Sequence, residues 1–347
     1  MFIDYIYQML YNTREKGVKN MINNSSNKRH IPTPLKAVVI GAAAGATVYA
    51  LAANLFYDVN LKRKGLEGEL RQKIYDKVAD KTYNELPAFN EGKEWFRTHD
   101  KEKFTIMSER GENLYADIFR SKKPTDIWVI CIHGYTSSPE NMGMYTKYFN
   151  GEFDFNVLMP SLNGHADSEN DKITMGWDDR LNIVDWINQL VSDYPDCKIV
   201  LHGVSMGAAT VMMTCGEELP DNVKCAIEDC GYTTVWEIFD YLIKNVTKVP
   251  NSLLTYSIDM VTKLRSKYDF KDASCIEQLK KSKTPMLFIH GEEDDFVPYR
   301  MLDEVYDACP VEKEKLSIPD AIHARSCCYH PEIYWPEVKK FIDKYTK

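Results

Sequence analysis

Lys198-Ile-Val-Leu-His-Gly-Val-Ser-Met-Gly-Ala-Ala-Thr210 joins a strand pattern to a helix pattern through a glycine-flanked serine. A short apolar run ends in Gly203-Val204-Ser205-Met206-Gly207, and small, helix-tolerant residues follow. This is G-x-S-x-G between a strand and a helix, the setting in which the pattern marks a nucleophile. The turn must be tight, and a side chain at either flanking position would meet the neighbouring strand or helix. Glycine brings no Cβ to collide. The helix that starts here aims its N-terminus at Ser205, which favours negative charge developing there. G-x-S-x-G also arises by chance, or as an ordinary strand–helix turn with a serine cap. The partners of Ser205 therefore have to be found elsewhere in the chain.

A serine hydroxyl is a weak nucleophile and needs a base, and the base needs an orienting carboxylate. In this architecture the chain order is Ser, acid, His. After Ser205 only His290, His323 and His330 remain. Met286-Leu-Phe-Ile-His-Gly-Glu-Glu-Asp-Asp-Phe-Val-Pro298 reads as a buried strand ending in an acidic turn. Leu316-Ser-Ile-Pro-Asp-Ala-Ile-His323 reads as the next strand, with a histidine on the loop beyond it. Open α/β sheets keep their sites at the carboxyl ends of the strands. Adjacent strands bring these two loops together, so Asp294 is the expected acid and His323 the expected base. Asp295 and Glu293 compete for the acid, and Asp294 also suits a cap for a helix beginning near Pro298. His290 is expected to fix its turn by hydrogen bonding, and His330 to start the last helix. An oxyanion needs two backbone N–H groups. Met206, directly after the nucleophile, supplies one, and Tyr135, in the loop His133-Gly134-Tyr135-Thr136, the other. His133 and His202 are read as holding loops.

Working outward, short β-rich runs occur at Phe104–Met107, Leu114–Phe119, Ile127–Ile132, Phe155–Met159, Lys198–Leu201, Lys224–Ile227, Met286–Ile289 and Lys315–Ile318. Helical patterns at Asn141–Phe149, Asp178–Ser192, Met206–Glu218, Met301–Ala308 and Glu332–Tyr345 separate most of them. This predicts an α/β fold with a mostly parallel eight-stranded sheet, antiparallel at its start, and helices on both faces. The alternation lapses over residues 232–270. Two amphipathic stretches there, Val235–Lys244 and Leu253–Lys267, predict a small helical cap. Its Trp236, Phe239, Tyr241, Leu253, Tyr256 and Met260 would line an acyl or aromatic pocket or, more simply, pack the cap down.

The 347 residues and 44% apolar content suffice for one large domain or two small ones, with a substantial core. A net charge of −8 without a basic block argues against a nucleic-acid partner. The nine cysteines are irregularly spaced and read as small buried hydrophobes. Cys327-Cys328, near His323 and His330, fits no standard zinc spacing. Residues 1–36 form a polar tail. Residues 37–57, Ala37 to Tyr57, carry no charge and are long enough for an N-terminal transmembrane helix. Gly41 and Gly45 give it a G-x-x-x-G spacing suited to self-association. Basic residues after the run outnumber those before it, which leans towards a cytoplasmic catalytic side without deciding it. Residues 58–102 read as a helical connector broken near Pro87, and 103–347 as the catalytic domain.

From about Phe104 to Lys347 the chain resembles the alpha/beta hydrolase superfamily. It looks most like bacterial, often membrane-anchored hydrolases related to the prolyl oligopeptidase and acyl-CoA thioesterase branches. The resemblance rests on His133-Gly134-Tyr135-Thr136, Gly164-His165-Ala166-Asp167-Ser168, Met175-Gly176-Trp177 with Arg180 and Trp186, and Leu201-His202-Gly203-Val204-Ser205-Met206-Gly207-Ala208-Ala209. His290-Gly291 with Asp294, Phe296, Val297 and Pro298 completes it. Ala166 departs from the glycine the family often has there. The resemblance implies a serine hydrolase with the triad Ser205, Asp294 and His323, acting on an ester or thioester without metal or organic cofactor. Peptidase or acyltransferase chemistry uses the same fold and triad. A binding protein on an inactive hydrolase fold is the rival of a different class, and the complete triad argues against it.

Overall fold

All eight apolar runs become strands of one sheet in the computed structural model, which describes residues 33–63, 86–247 and 252–347. The strands are β1 (Glu102–Met107), β2 (Asn113–Phe119), β3 (Ile127–Ile132), β4 (Asn156–Pro160), β5 (Lys198–Val204), β6 (Val223–Asp229), β7 (Met286–Gly291) and β8 (Lys313–Ile318). Their order across the sheet is β1-β2-β4-β3-β5-β6-β7-β8. β1 pairs antiparallel with β2 and β2 with β4, and every later pairing is parallel. The central strands are buried along almost their whole length, as unbroken apolar runs require when helices cover both faces.

The helices are α1 (Thr33–Asn60), α2 (Pro87–Thr98), α3 (Gly143–Thr146), α4 (Asp179–Asp193), α5 (Met206–Thr214), α6 (Val235–Thr247), α7 (Ser252–Ser266), α8 (Cys275–Leu279), α9 (Arg300–Ala308), α10 (Ser326–Tyr329) and α11 (Pro331–Thr346). The single helix expected over Asn141–Phe149 is instead a 3-10 turn, α3 and a π-helical turn, Lys147–Glu152, in succession. α5 stops at Thr214, short of the expected Glu218, because Gly216 and Glu217 close tight turns onto Met213 and Thr214. α11 contributes Tyr334, Val338, Phe341 and Ile342 to the same buried cluster as Val129, Cys131, Val200 and Leu287 of the sheet. Each such fully buried apolar side chain contributes roughly 1.5–3 kcal/mol.

The chain divides into two compact units, one of residues 77–238 and 270–347, which holds the whole sheet, and one of residues 1–76 and 239–269. Residues 64–85 of the expected connector lie outside the described residues, and its remainder contains α2, which begins at Pro87. In the smaller unit α1 packs on α7. Ala53 and Tyr57 are buried, the Tyr57 hydroxyl meets the Ser266 hydroxyl at 2.6 Å, and Arg265 pairs with Asp58 at 2.5 Å. Phe56 meets Phe239 edge to face at 5.3 Å.

The transmembrane helix expected over 37–57 is not supported. Among the described residues no helix is long and apolar enough to cross a membrane. The later turns of that helix are occupied with protein contacts, and Asn54 turns its amide back onto the Ala50 carbonyl. Gly45 has open space beyond its Cα, whereas the surroundings of Gly41 lie outside the described residues. Of the cap side chains, Phe239 is buried, while Leu253, Tyr256 and Met260 are exposed.

Candidate active site

β5 delivers Ser205 at the carboxyl edge of the sheet, between β3 and β6. Ser205 stands at φ 57° and ψ −117°, a conformation an L residue adopts only under constraint. The Ser205 amide donates to the Asp229 carbonyl at 2.8 Å, and the Ser205 carbonyl accepts from Ala209 at 3.0 Å. The flanking glycines are sterically obligatory. A Cβ on Gly203 would lie 2.2 Å from the Gly207 carbonyl oxygen, and one on Gly207 would lie 2.1 Å from that of Ile132. α5 begins at Met206, so its N-terminus faces the hydroxyl.

β7 and β8 are parallel neighbours, with Gly291 opposite Ile318, and the loops beyond them meet at Ser205. The Ser205 hydroxyl is 2.9 Å from His323 Nε2, and His323 Nδ1 is 2.7 Å from Asp294 Oδ2. With Nδ1–H donating to the carboxylate, Nε2 is left as the acceptor for the serine proton. Asp294 is buried and fully engaged. Its Oδ1 accepts from the amides of Phe296 at 3.0 Å and Val297 at 2.8 Å, and its Oδ2 also lies 3.2 Å from His290 Nε2. Burial pushes this carboxyl up, but the charge of His323 and the hydrogen bonds from His290 and His323 outweigh it and hold the group well below the usual carboxylate range. Glu293 and Asp295, the competing acids, are exposed. Asp294 does cap backbone amides, yet α9 begins only at Arg300, so it is not that helix's N-cap.

Sequence reasoning missed the second role of His290. Its Nε2 holds the turn through the Val297 carbonyl at 3.0 Å, as expected, and also reaches the triad carboxylate. The spacing His290 to Asp294 was the available signal. Also missed was Phe296, whose ring lies 4.9 Å from that of His323. Of the other histidines around the site, His133 and His165 hold loops, whereas His202, expected to hold one, lies inside β5 and meets β3 and α11. His133 donates from Nδ1 to the Gly134 carbonyl at 2.9 Å and accepts from the Leu162 amide at 3.2 Å. His202 contacts Cys131 and the Tyr334 hydroxyl. Burial pushes His133 down to about 4 and His202 down to about 3, so both are neutral at physiological pH. His165 accepts from the Thr136 amide at 3.1 Å and so fixes the loop after β3. His330 precedes α11 and pairs with Glu332 at 2.9 Å.

That β3 loop lies beside the nucleophile: a Cβ on Gly134 would stand 3.3 Å from Ser205 Cβ and 3.9 Å from its Oγ. Tyr135 thus follows a residue beside the hydroxyl, and Met206 follows Ser205 itself. Cys230 also comes within ligand reach of Asp294 and His323. The Asp294 oxygens, however, are taken up by two imidazoles and two amides, a donor set that suits an orienting carboxylate better than a metal ligand.

Residues 165–320 match the prolyl oligopeptidase family model. The chain is 26% identical over 255 residues to the protein YqkD of Bacillus subtilis, covering 72% of this chain and 82% of that one. It is 25% identical over 190 residues to the putative esterase YitV of the same organism, covering 52% and 72%. Among solved structures it resembles the Pyrococcus furiosus esterase Pf2001, with a TM-score of 0.56, 22% identity, and coverage of 72% of this chain and 93% of that one. It also resembles the Pyrococcus horikoshii acylaminoacyl peptidase, with a TM-score of 0.52, 15% identity, and coverage of 73% and 43%. With this sheet order, a strained serine on the β5–α5 bend and these likenesses, the chain has the alpha/beta hydrolase fold and is a serine hydrolase.

Proposed function

We propose that the enzyme cleaves a carboxylic ester or thioester through an acyl-enzyme on Ser205. The relay from the Ser205 hydroxyl through His323 to Asp294, at 2.9 and 2.7 Å, carries this reading. His323 Nε2 takes the serine proton as Oγ attacks the acyl carbon, and Asp294 stabilises the imidazolium that forms. The amides of Met206 and Tyr135 hold the oxyanion, each donor contributing about 3 kcal/mol. His323 then protonates the departing alkoxide or thiolate. Water, deprotonated by the same imidazole, releases the acid. The likeness to a putative esterase supports the ester reading.

Peptide or amide cleavage is the second reading, favoured by the prolyl oligopeptidase family match over residues 165–320. A panel of p-nitrophenyl esters, acyl thioesters and aminoacyl amides separates the two. Turnover of esters or thioesters well above amides is expected, and preferential cleavage of the amides would replace the first reading with the second.

We also propose that the smaller unit holds the enzyme at a membrane surface. α7 exposes Leu253, Tyr256, Met260 and Leu264 at 54%, 49%, 66% and 67%, spaced three and four apart along one face. Carbonate extraction of a membrane fraction tests this. Release of protein from membranes that held it in neutral buffer is expected. Protein found wholly soluble before extraction, or resisting carbonate altogether, contradicts surface attachment.

A further inference from the structure

Three sulfur atoms meet away from the triad. Met144 opens towards α10 from α3, and Cys327 and Cys328 lie on α10. Cys328 Sγ is 3.3 Å from Met144 Sδ, Cys327 Sγ is 3.9 Å from it, and the two Sγ atoms are 3.8 Å apart. They line a cleft of about 100 Å³ whose other walls include Glu91, Lys147, Tyr148 and Trp335. Cys327 is buried and Cys328 half-buried, so the cleft gives solvent a route to the sulfurs.

The fold holds this triangle firmly. α2 and α3 touch backbone to backbone, since a Cβ on Gly92 would lie 2.3 Å from the Met144 amide nitrogen and one on Gly143 2.1 Å from the Gly92 carbonyl. Tyr148 stacks on Trp335 at 4.0 Å. Ser326, just before the cysteines, is tied to buried Asp229 at 3.2 Å.

A disulfide does not suit the pair. It needs sulfurs about 2.05 Å apart, and these stand on adjacent residues of one helical turn at 3.8 Å. Zinc does not suit it either, because zinc takes four nitrogen, sulfur or oxygen ligands in a tetrahedron. Among the described residues the acid, imidazole and thiol groups that converge in threes are Cys230, Asp294 and His323, at the triad. Three sulfurs around one ion at a metal–sulfur distance of about 2.3 Å form a triangle with sides of about 4.0 Å. Two of the three sides here are already 3.8 and 3.9 Å. Thiolate and thioether together select soft ions, copper(I) above all.

We propose that Cys327, Cys328 and Met144 form a three-coordinate site for a soft monovalent metal ion, copper(I) being its biological occupant. Binding replaces two S–H bonds with two metal–thiolate bonds and releases two protons to solvent, while the thioether adds a neutral third bond. No electron is transferred. The bound group carries one net negative charge, and Arg325 beside Cys328 opposes it, while Lys147 on the cleft wall pairs with Glu91 at 3.1 Å.

The test titrates the reduced full-length protein, without oxygen, into the coloured copper(I)–bicinchoninate complex. Wild type is expected to withdraw one copper(I) per chain and to gain thermal stability on doing so. Met144→Leu, which keeps the volume, is expected to hold copper(I) about tenfold or more weakly. Cys327→Ser and Cys328→Ser lose the site, and Cys309→Ser, altering a cysteine elsewhere, behaves as wild type. Circular dichroism confirms that each variant is folded. Failure of the wild type to compete for copper(I), or equal retention by Met144→Leu and the two α10 variants, overturns the proposal.

Discussion

His290 and His323 converge on one oxygen: both imidazoles lie within hydrogen-bond reach of Asp294 Oδ2, at 3.2 and 2.7 Å. The first histidine sits at the end of β7, four residues before the carboxylate it holds. The second arrives on the loop beyond β8. Asp294 is therefore clamped from the strand side and left one well-aimed lone pair for the base. His290 is a positioning residue. His290→Gln, which can still donate to both the Val297 carbonyl and Asp294, is expected to retain most activity. His290→Ala is expected to lower kcat about 10- to 100-fold with little change in KM. Steady-state kinetics of the two variants decide it, and equal rates in both would remove His290 from the account.

Asp294→Asn keeps the shape of the side chain but favours the wrong imidazole tautomer. A loss of about 10⁴ in kcat is expected. The carboxyl also bears on stability. Its pKa is depressed in the folded state, so its contribution is fully present above the ordinary carboxylate value and is lost as pH falls through the lower folded value. The stability gap between wild type and Asp294→Asn should therefore narrow as pH drops below about 4. Urea unfolding across that range measures it, and a gap that widens in acid would contradict the geometry.

Glu228 gives the opposite sign. It is fully buried at the end of β6, and its Oε2 accepts from the Gly231 amide at 2.9 Å. Burial raises it from the ordinary 4.5 to about 8, against the opposing charge of His290. The folded state keeps the proton where the unfolded state has lost it, so stability falls as pH rises from 4.5 to about 8. Glu228→Gln is expected to raise Tm at pH 8 by roughly 2–6 °C and to leave it little changed at pH 5. A gain at pH 5 that vanishes at pH 8 would show the sign to be wrong.

The elbow tolerates no added atom. Gly207→Ala places its methyl 2.1 Å from the Ile132 carbonyl oxygen, which is backbone and has nowhere to go. A loss of about 3 kcal/mol or more is expected, with α5 forced away from β3. A conservative change at exposed Met107, by contrast, should stay within about 0.5 kcal/mol. Thermal unfolding of the two variants gives the comparison.

The strands were legible because an α/β sheet covered on both faces writes itself as apolar runs, as in Ile127–Ile132, whose bounds the structure reproduces. Ser205, Asp294 and His323 were legible because the fold fixes their chain order and each lies just past a strand. The placing of β4 between β2 and β3 was not, since nothing local records which strand lies next to which. Local pattern also failed over Pro139–Glu152, where packing against α2 breaks one helix into three geometries. Ala166 was visible as a departure in sequence, and the structure supplies its meaning: it holds φ 40°, where glycine rests without strain. The uncharged run before Tyr57 misled, because apolar length alone does not distinguish a lipid-facing helix from one packed on α7. Met144 carried no signal at all, being nearly 200 residues from the cysteines it meets.

Fluorophosphonate labelling of wild type beside Ser205→Ala decides whether Ser205 is the nucleophile. The wild type is predicted to take up one probe per chain and lose its esterase activity in step. Ser205→Ala, folded to the same extent by circular dichroism, is predicted to take up none and to hydrolyse no p-nitrophenyl ester. A Ser205→Ala protein that still labels and still turns over ester would contradict the account.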